Sequence, residues 1–462
     1  MLDTMAKVID NLTEKDVGFA DIRQESHAST RILVVNGALR GFSRATKAGA
    51  VARALVGECW GMASTSESLT TEICKNLLDD AVKSAKANAK FSRKNLDFSG
   101  IKGIEKTIWQ KSKVDPADVS TEEKLEFVMS LDRSQKIDDR IINTNSIYDD
   151  EKKVFRLVNT AGSRLEWDEL RTLAVVQPIA RQGERMHYDY EVEGGRAGYE
   201  LIQKIDPNTL GGKCAKGALD LLDAEKPPSG KMTVVVDGGI SGLIAHEVCG
   251  HASEADEVVK GRSFLTGQVG NKLGTDLVTM VDDGTLEGVS GSFPFDSEGT
   301  PASRTMIIED GVFNGYLHTL ETAILMGVEP TGNGRAQDYN RRIFARMTNT
   351  FFDKGEWKDD DIISDTKDGL YVTKASSGME DVVGGGVQCS ALKGYIIKNG
   401  EKTQLVRSMS LAGKVLEILK TVDAVGNKLE FWGGTCGKGE EDFIPVSSGG
   451  PHMRAEMVVG GG

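Results

Sequence analysis

Between Arg140 and Glu193 the apolar residues of this chain recur at every second position, and no other feature restricts its fold so tightly. The runs IINTNSIYDD, KVFRLVNT, TLAVVQPIARQ and HYDYEVE put alternate side chains on opposite faces, as half-buried strands do. With NTAGS as a turn, they predict an antiparallel meander. The pattern before it is mixed. Thr30 to Val35 and Ala50 to Val56 read as strands, with Asn36-Gly37 as a turn signal between them. Met5, Val8, Ile9 and Leu12 mark an amphipathic helix at the N-terminus. Ser66 to Lys90 carries Leu69, Ile73, Leu77, Ala81 and Ala85 at helical spacing. A further helix starts at Ser120, where Ser120 and Glu123 have the spacing of a capping box. Leu201 to Leu222 is helical again.

The segment EKPPSGK, Glu225 to Lys231, holds an adjacent proline pair among turn residues and predicts a domain boundary. This divides the chain into 1–228, an N-terminal α+β domain, and 229–462, a C-terminal domain. Beyond the boundary, MTVVVDGG reads as a short strand, and Ser241 as the cap of a helix running through SGLIAHEVCGHASEADEVV. The remainder is rich in glycine and in strand patterns, with turns at Asp283-Gly284 and Asp310-Gly311. It predicts a large, mostly antiparallel sheet, and the fold class of the whole is α+β.

Charge and composition exclude several functions. The chain has 69 acidic against 56 basic residues, a formal charge of -13, and no basic patch, so direct nucleic-acid binding is not expected. No run of about 18 uncharged apolar residues exists to span a membrane, and the charged N-terminus lacks the apolar core of a signal peptide. The six cysteines are scattered without a CxxC pair, as expected in a reducing compartment. A cytoplasmic protein is expected. Neither a GxSxG string nor a P-loop GK[ST] is present, which disfavours a serine hydrolase and ATP-driven action.

The chemistry concentrates in six residues. Of six histidines, His27, His187, His318 and His452 stand alone and read as surface or hydrogen-bonded imidazoles. His246, Glu247 and His251 form HEVCGH on the predicted helix. Two neutral imidazoles with an anionic third donor hold zinc and leave one position open. A carboxylate beside the first histidine then accepts the proton of an attacking water. Positions five apart lie about 140° round an ideal helix, which would aim the rings badly. One extra residue in the turn, a π-bulge, restores the alignment, and Gly250 would tolerate the irregular backbone without crowding a metal. For the third donor the residues leave Cys436, in the glycine-rich FWGGTCGKG, and Glu254 about equal. Glu254 can alternatively orient His251 from behind, with Asp256 as a similar partner, while Cys249 reads as buried filler.

The motifs HEVCGHASEAD, GRSFLTGQVG, VDDGT, DSEGTP, IEDGVFNGYL, LMGVEPTGNGR and RMTNT, with CGKG near the C-terminus, occur in one order. Together with GFSRATKAGAVARALVGECWGMAST they resemble the TldD/PmbA (TldE) metalloprotease family, also called modulators of DNA gyrase. The resemblance implies a zinc ion held by His246, His251 and Cys436, with Glu247 as general base. It places the chain on the metal-bearing side of the family, because the PmbA-type paralogue lacks these histidines. It further implies a zinc-dependent peptidase acting on unfolded or extended peptides inside an enclosed dimer cleft, formed with a PmbA/TldE-type paralogue or with a second copy. The loop Thr331 to Arg335 also matches the family, and Gly332, Asn333, Gly334 and Arg335 are expected to face the substrate. The competing reading is a non-catalytic peptide-binding or assembly subunit with a structural or absent metal. The intact Glu247 argues against it, since a structural site has no use for that carboxylate.

Overall fold

A computed structural model describes residues 1–90 and 96–461; Gly462, the last residue of the C-terminal segment, lies outside the described residues. The first sheet is organised by one long hairpin, Val17–Val35 with Ala38–Val56. Its turn is Asn36-Gly37, with φ of 52° and 76°, the left-handed pair that a two-residue hairpin requires. The sheet runs Glu191–Gly195, Arg164–Val176, Asn145–Asn159, Val17–Val35, Ala38–Val56, Cys59–Thr65, and Glu105–Ile108 adds a parallel strand beside Arg164–Val176. The meander thus pairs onto the first hairpin through Asn145–Asn159, with the turn at residues 159–163 where NTAGS predicts it.

Period two decides which side of this sheet does what. Ala20, Ile22, Ile32 and Val34 share one face and are buried under helices. Leu2–Asp10 and Thr71–Ala89 cover one end of that face, Thr121–Ser134 and Pro207–Asp223 the other. The second helix begins five residues later than its periodicity predicts, because Thr70 is the residue whose Oγ1 accepts the N–H of Ile73. Ser120 caps its helix as expected, accepting the N–H of Glu123 at 3.1 Å. Arg23, His27, Ser29 and Arg31 point from the opposite face toward the C-terminal half.

That half holds two six-stranded sheets rather than one large one. In the first, Asp368–Asp381, Gly386–Lys398, Glu401–Lys414 and Met453–Gly461 form an antiparallel series. Gly230–Val236 pairs with both ends of the series, parallel to Asp368–Asp381 and antiparallel to Met453–Gly461, and so closes it into a mixed barrel. The second sheet runs Val312–Phe313, Arg304–Glu309, Met280–Asp283, Asn349–Phe352, Glu441–Gly450, Glu430–Lys438, the last being an edge strand. Between the two sheets lies the helix Gly238–Ala245, with Ile240 and Ile244 in the main core. Asp237, not Ser241, caps it: Asp237 Oδ1 accepts the N–H of Ile240, while Ser241 Oγ, inside the helix, donates to Pro451 O. Gly242 lets the helix touch Gly449 backbone to backbone, since a Cβ there would collide with it. Among the described residues no helix is long and apolar enough to cross a membrane.

Candidate metal centre

The helix Gly238–Ala245 does not continue regularly. His246–Gly250 forms a π turn, and the N–H of His251 donates to His246 O, five residues back. The additional residue per turn cancels the mismatch of the five-residue spacing, and the two rings stand 5.0 Å apart at 82°. The helix also ends sooner than expected, through a 3-10 turn at His251–Ser253 and a separate short helix Ala255–Val259. Gly250 serves this turn by its size rather than by conformational freedom. Its φ of -58° is ordinary, but a Cβ would collide with Met347 Sδ, which packs against it.

Cys436 arrives from the edge strand Glu430–Lys438. Its Sγ lies 3.2 Å from His246 Nε2 and 3.3 Å from His251 Nε2, and all three residues are buried. Donors around one tetrahedral zinc, at 2.0–2.3 Å from it, stand about 3.5 Å apart, so this donor set fits the ion without rearrangement. Burial alone would push the Cys436 thiol up. The His246 and His251 imidazoles more than offset this and hold it down at about 5, so the sulfur is a thiolate at neutral pH.

Glu254 stands behind His251 instead of beside the donors, its Oε2 3.2 Å from Nδ1. Burial would lower the His251 imidazole, but Glu254 and Cys436 together outweigh it and keep the group well above its ordinary range. Glu254 is itself buried, yet Lys438, His251 and Arg346 hold its carboxyl far below the usual range. Lys438 Nζ reaches Glu254 Oε2 at 3.0 Å and Asp256 Oδ1 at 2.6 Å, so this lysine serves the carboxylates and not the thiolate two residues away. Arg346, with no exposed surface, links Glu254 at 3.5 Å to Glu441 at 2.8 Å. Neither Arg346 nor Glu441 carries a signal in the linear spacing; only the fold brings them here. Cys249 is buried away from the donors, its thiol pushed up to about 12 by burial.

Glu247 faces outward from the π turn. Burial pushes its carboxyl up, to about 7, against the pull of His246 and with a contribution from Glu380 alongside. The strand Asp368–Asp381 presses onto it at Gly378, where a Cβ would collide with Glu247 Cγ. His246 and Glu247 border a cleft of about 1160 Å³ between the N-terminal sheet and the C-terminal half, lined also by His27, Tyr190, Lys374 and Trp432. Among the described residues the strand Glu430–Lys438 pairs with Glu441–Gly450 and no other strand, which leaves its second edge open, and residues 430–435 line the cleft.

The loop from Thr331 to Arg335 turns inward, contrary to expectation. Gly332, Asn333, Gly334 and Arg335 are all buried. Asn333 Nδ2 donates to Asp282 Oδ2 and Arg346 O, and the Gly334 N–H donates to Asp296 Oδ2. Arg335 spends its guanidinium on Met347 O and Pro445 O and stacks over Phe293. The polar groups a peptide would need are already committed, and the loop instead braces the strand leading to Arg346 and the one leading away from Cys436.

Comparison with known proteins gives concordant results. The chain matches the PmbA/TldA metallopeptidase C-terminal domain over residues 229–461, the central domain over 114–222 and domain 1 over 20–89. A metalloprotease of Methanocaldococcus jannaschii is 35% identical over 96% of this chain and 96% of its own. A metalloprotease TldD homolog of Haemophilus influenzae is 27% identical over 99% and 96%. Among solved structures, TldE from Thermococcus kodakarensis superposes with a TM-score of 0.77 at 18% identity, covering 99% of each chain. A Thermotoga maritima protein superposes with a TM-score of 0.81 at 22% identity, again over 99% of each.

Proposed function

The chain belongs to the PmbA/TldD family of metallopeptidases, and from that premise we propose that it is a zinc peptidase whose ion is held by His246, His251 and Cys436. The convergence of two Nε2 atoms and one thiolate within 3.3 Å carries this reading. A zinc metalloprotease TldD homolog of Saccharolobus solfataricus, 25% identical over 62% of this chain, supports the choice of ion. When bound, zinc supplies the Lewis acid that polarises the scissile carbonyl. Glu254 fixes the His251 ring from behind, so that Nε2 presents its lone pair to the site. Glu247, next to the first histidine and open to the cleft, takes the proton of the attacking water and returns it to the leaving amine.

The substrate we infer is an extended peptide. The free edge of Glu430–Lys438 offers unpaired main-chain donors and acceptors beside Cys436, which an extended chain can match by adding as a further strand. We place the boundary between the N-terminal and catalytic parts at residue 228, and we infer a dimer with a PmbA/TldE-type paralogue or a second copy. Exposed apolar side chains support the dimer, among them Leu39 and Phe42 on the long hairpin and Met186 on a small three-stranded sheet nearby in sequence to the meander.

The test is zinc content per chain in the wild type and in Cys436→Ala. One zinc per chain in the first and marked loss in the second is the expected result. Equal zinc in both would remove Cys436 from the ligand set, and none in the wild type after zinc is restored would overturn the peptidase reading.

A further inference from the structure

Arg346 lies wholly inside the protein, and Asn333 holds its backbone at two points. The Arg346 N–H donates to Asn333 O at 2.9 Å, and Arg346 O accepts from Asn333 Nδ2 at 2.9 Å. The side chain is therefore aimed before it meets its partners. Its Nε faces Glu254 Oε1 at 3.5 Å, and Nη1 donates to Glu441 Oε2 at 2.8 Å. Nη2 is buried as well, and among the described residues it has no oxygen acceptor. The acceptor left to the guanidinium is sulfur: it makes a side-chain hydrogen bond with Cys436 and lies within reach of the thiolate charge. A buried N–H without a partner is costly, and an ionised acceptor answers it best.

We propose that Arg346 is a positioning residue of the metal centre that acts through sulfur: its Nη2 N–H donates to Cys436 Sγ, fixes the direction of the thiolate and draws negative charge out of it. The inference rests on the zinc-peptidase reading given above. A thiolate gives more charge to an ion than an imidazole does, which weakens the ion as a Lewis acid. An N–H held on the sulfur takes part of that charge back. The same guanidinium touches Glu254, which stands behind His251, so one side chain steadies two of the three donors. Lys438 is nearer in sequence to Cys436 but is committed to Glu254 and Asp256. Arginine suits the task because its planar fork sets three nitrogens against three separate partners in a single orientation.

The experiment uses the full chain, stripped of metal and reloaded with one equivalent of Co²⁺. It reads the near-ultraviolet band in which charge passes from thiolate sulfur to cobalt. Wild type is compared with Arg346→Met and, as a control that alters the cage without touching the sulfur, with Glu441→Gln. Losing the N–H raises the energy of the sulfur electrons, so the band is expected at longer wavelength in Arg346→Met and at its wild-type place in Glu441→Gln. Zinc affinity of Arg346→Met, by competition with a chromophoric chelator, is expected to fall about 10–100-fold. A measurement on the wild type alone covers the case in which Arg346→Met does not fold. In its cobalt form, the cobalt–sulfur stretch seen by resonance Raman spectroscopy should shift between H₂O and D₂O, as it does when an exchangeable N–H donates to the sulfur. An unmoved band in folded Arg346→Met, an equal movement in Glu441→Gln, or no solvent shift in the wild type would overturn the inference and leave the three donors in place. A wild type without any sulfur-to-cobalt band would overturn the assignment of Cys436 as a ligand, and the inference with it.

Discussion

Glu247→Gln separates proton transfer from metal binding, since the variant keeps all three donors and loses only the carboxylate. It is expected to retain zinc at the wild-type level while kcat/KM on an unstructured fluorogenic peptide falls about 10²–10⁴-fold. Metal analysis and a hydrolysis assay on the same preparation check this, and loss of zinc in the variant would make Glu247 a ligand. That His246 and His251 stand together was legible from HEVCGH, because two imidazoles at fixed spacing on one helix are brought to one place by its turn. The surrounding charges were not. Arg346 is 92 residues from Glu254 in sequence and forms part of its cage only because strand pairing brings them together. Asn333 and Arg335 misled in the opposite sense: a glycine-flanked polar loop looks accessible, and nothing local reports that Asp282, Asp296 and two carbonyls will claim it.

At the scale of elements, the π turn depends on Met347 filling the space that Gly250 leaves. Gly250→Ala places a Cβ against Met347 Sδ and is expected to cost about 1–3 kcal/mol of stability, with weaker zinc binding as the histidines are displaced. Adding Met347→Ala should restore part of both, which urea unfolding and zinc titration of the single and double variants will show. The extra residue in this turn was foreseeable because five-residue spacing cannot otherwise align two ligands. The start of the helix was not: local pattern offers Ser241 after the glycines Gly238-Gly239 as the cap, yet Asp237 accepts the Ile240 N–H and its other oxygen accepts from Thr373 on the barrel. A cap that also ties the helix to a neighbouring strand outcompetes one that serves the helix alone. By contrast Asn36-Gly37 and Ser120 act through their immediate neighbours, and their places followed from local pattern.

Across the whole molecule, stability should carry the signature of a buried neutral imidazole. His318 is 4% exposed, its Nδ1 3.3 Å from Thr322 Oγ1, and burial lowers it to about 4. The unfolded chain, near 6.5, binds the proton more tightly, so between these values stability rises with pH and is lost as pH falls. From pH 7 to pH 5 this group alone should cost about 2 kcal/mol. Urea unfolding of wild type and His318→Gln at both pH values should show a smaller difference in the variant by that amount; parallel losses would mean that other groups govern the acid limb. The global topology was the part least visible in advance, since alternation identifies strands but not their partners. The strand Gly230–Val236 finds one neighbour more than a hundred residues later and the other more than two hundred later. During synthesis this ring stands open until Met453–Gly461 has left the ribosome, and Cys436 emerges only shortly before it. A nascent chain therefore holds His246 and His251 without Cys436, and the ring unclosed, until both late strands have emerged, so the order of strands also sets the order in which the three side chains can meet.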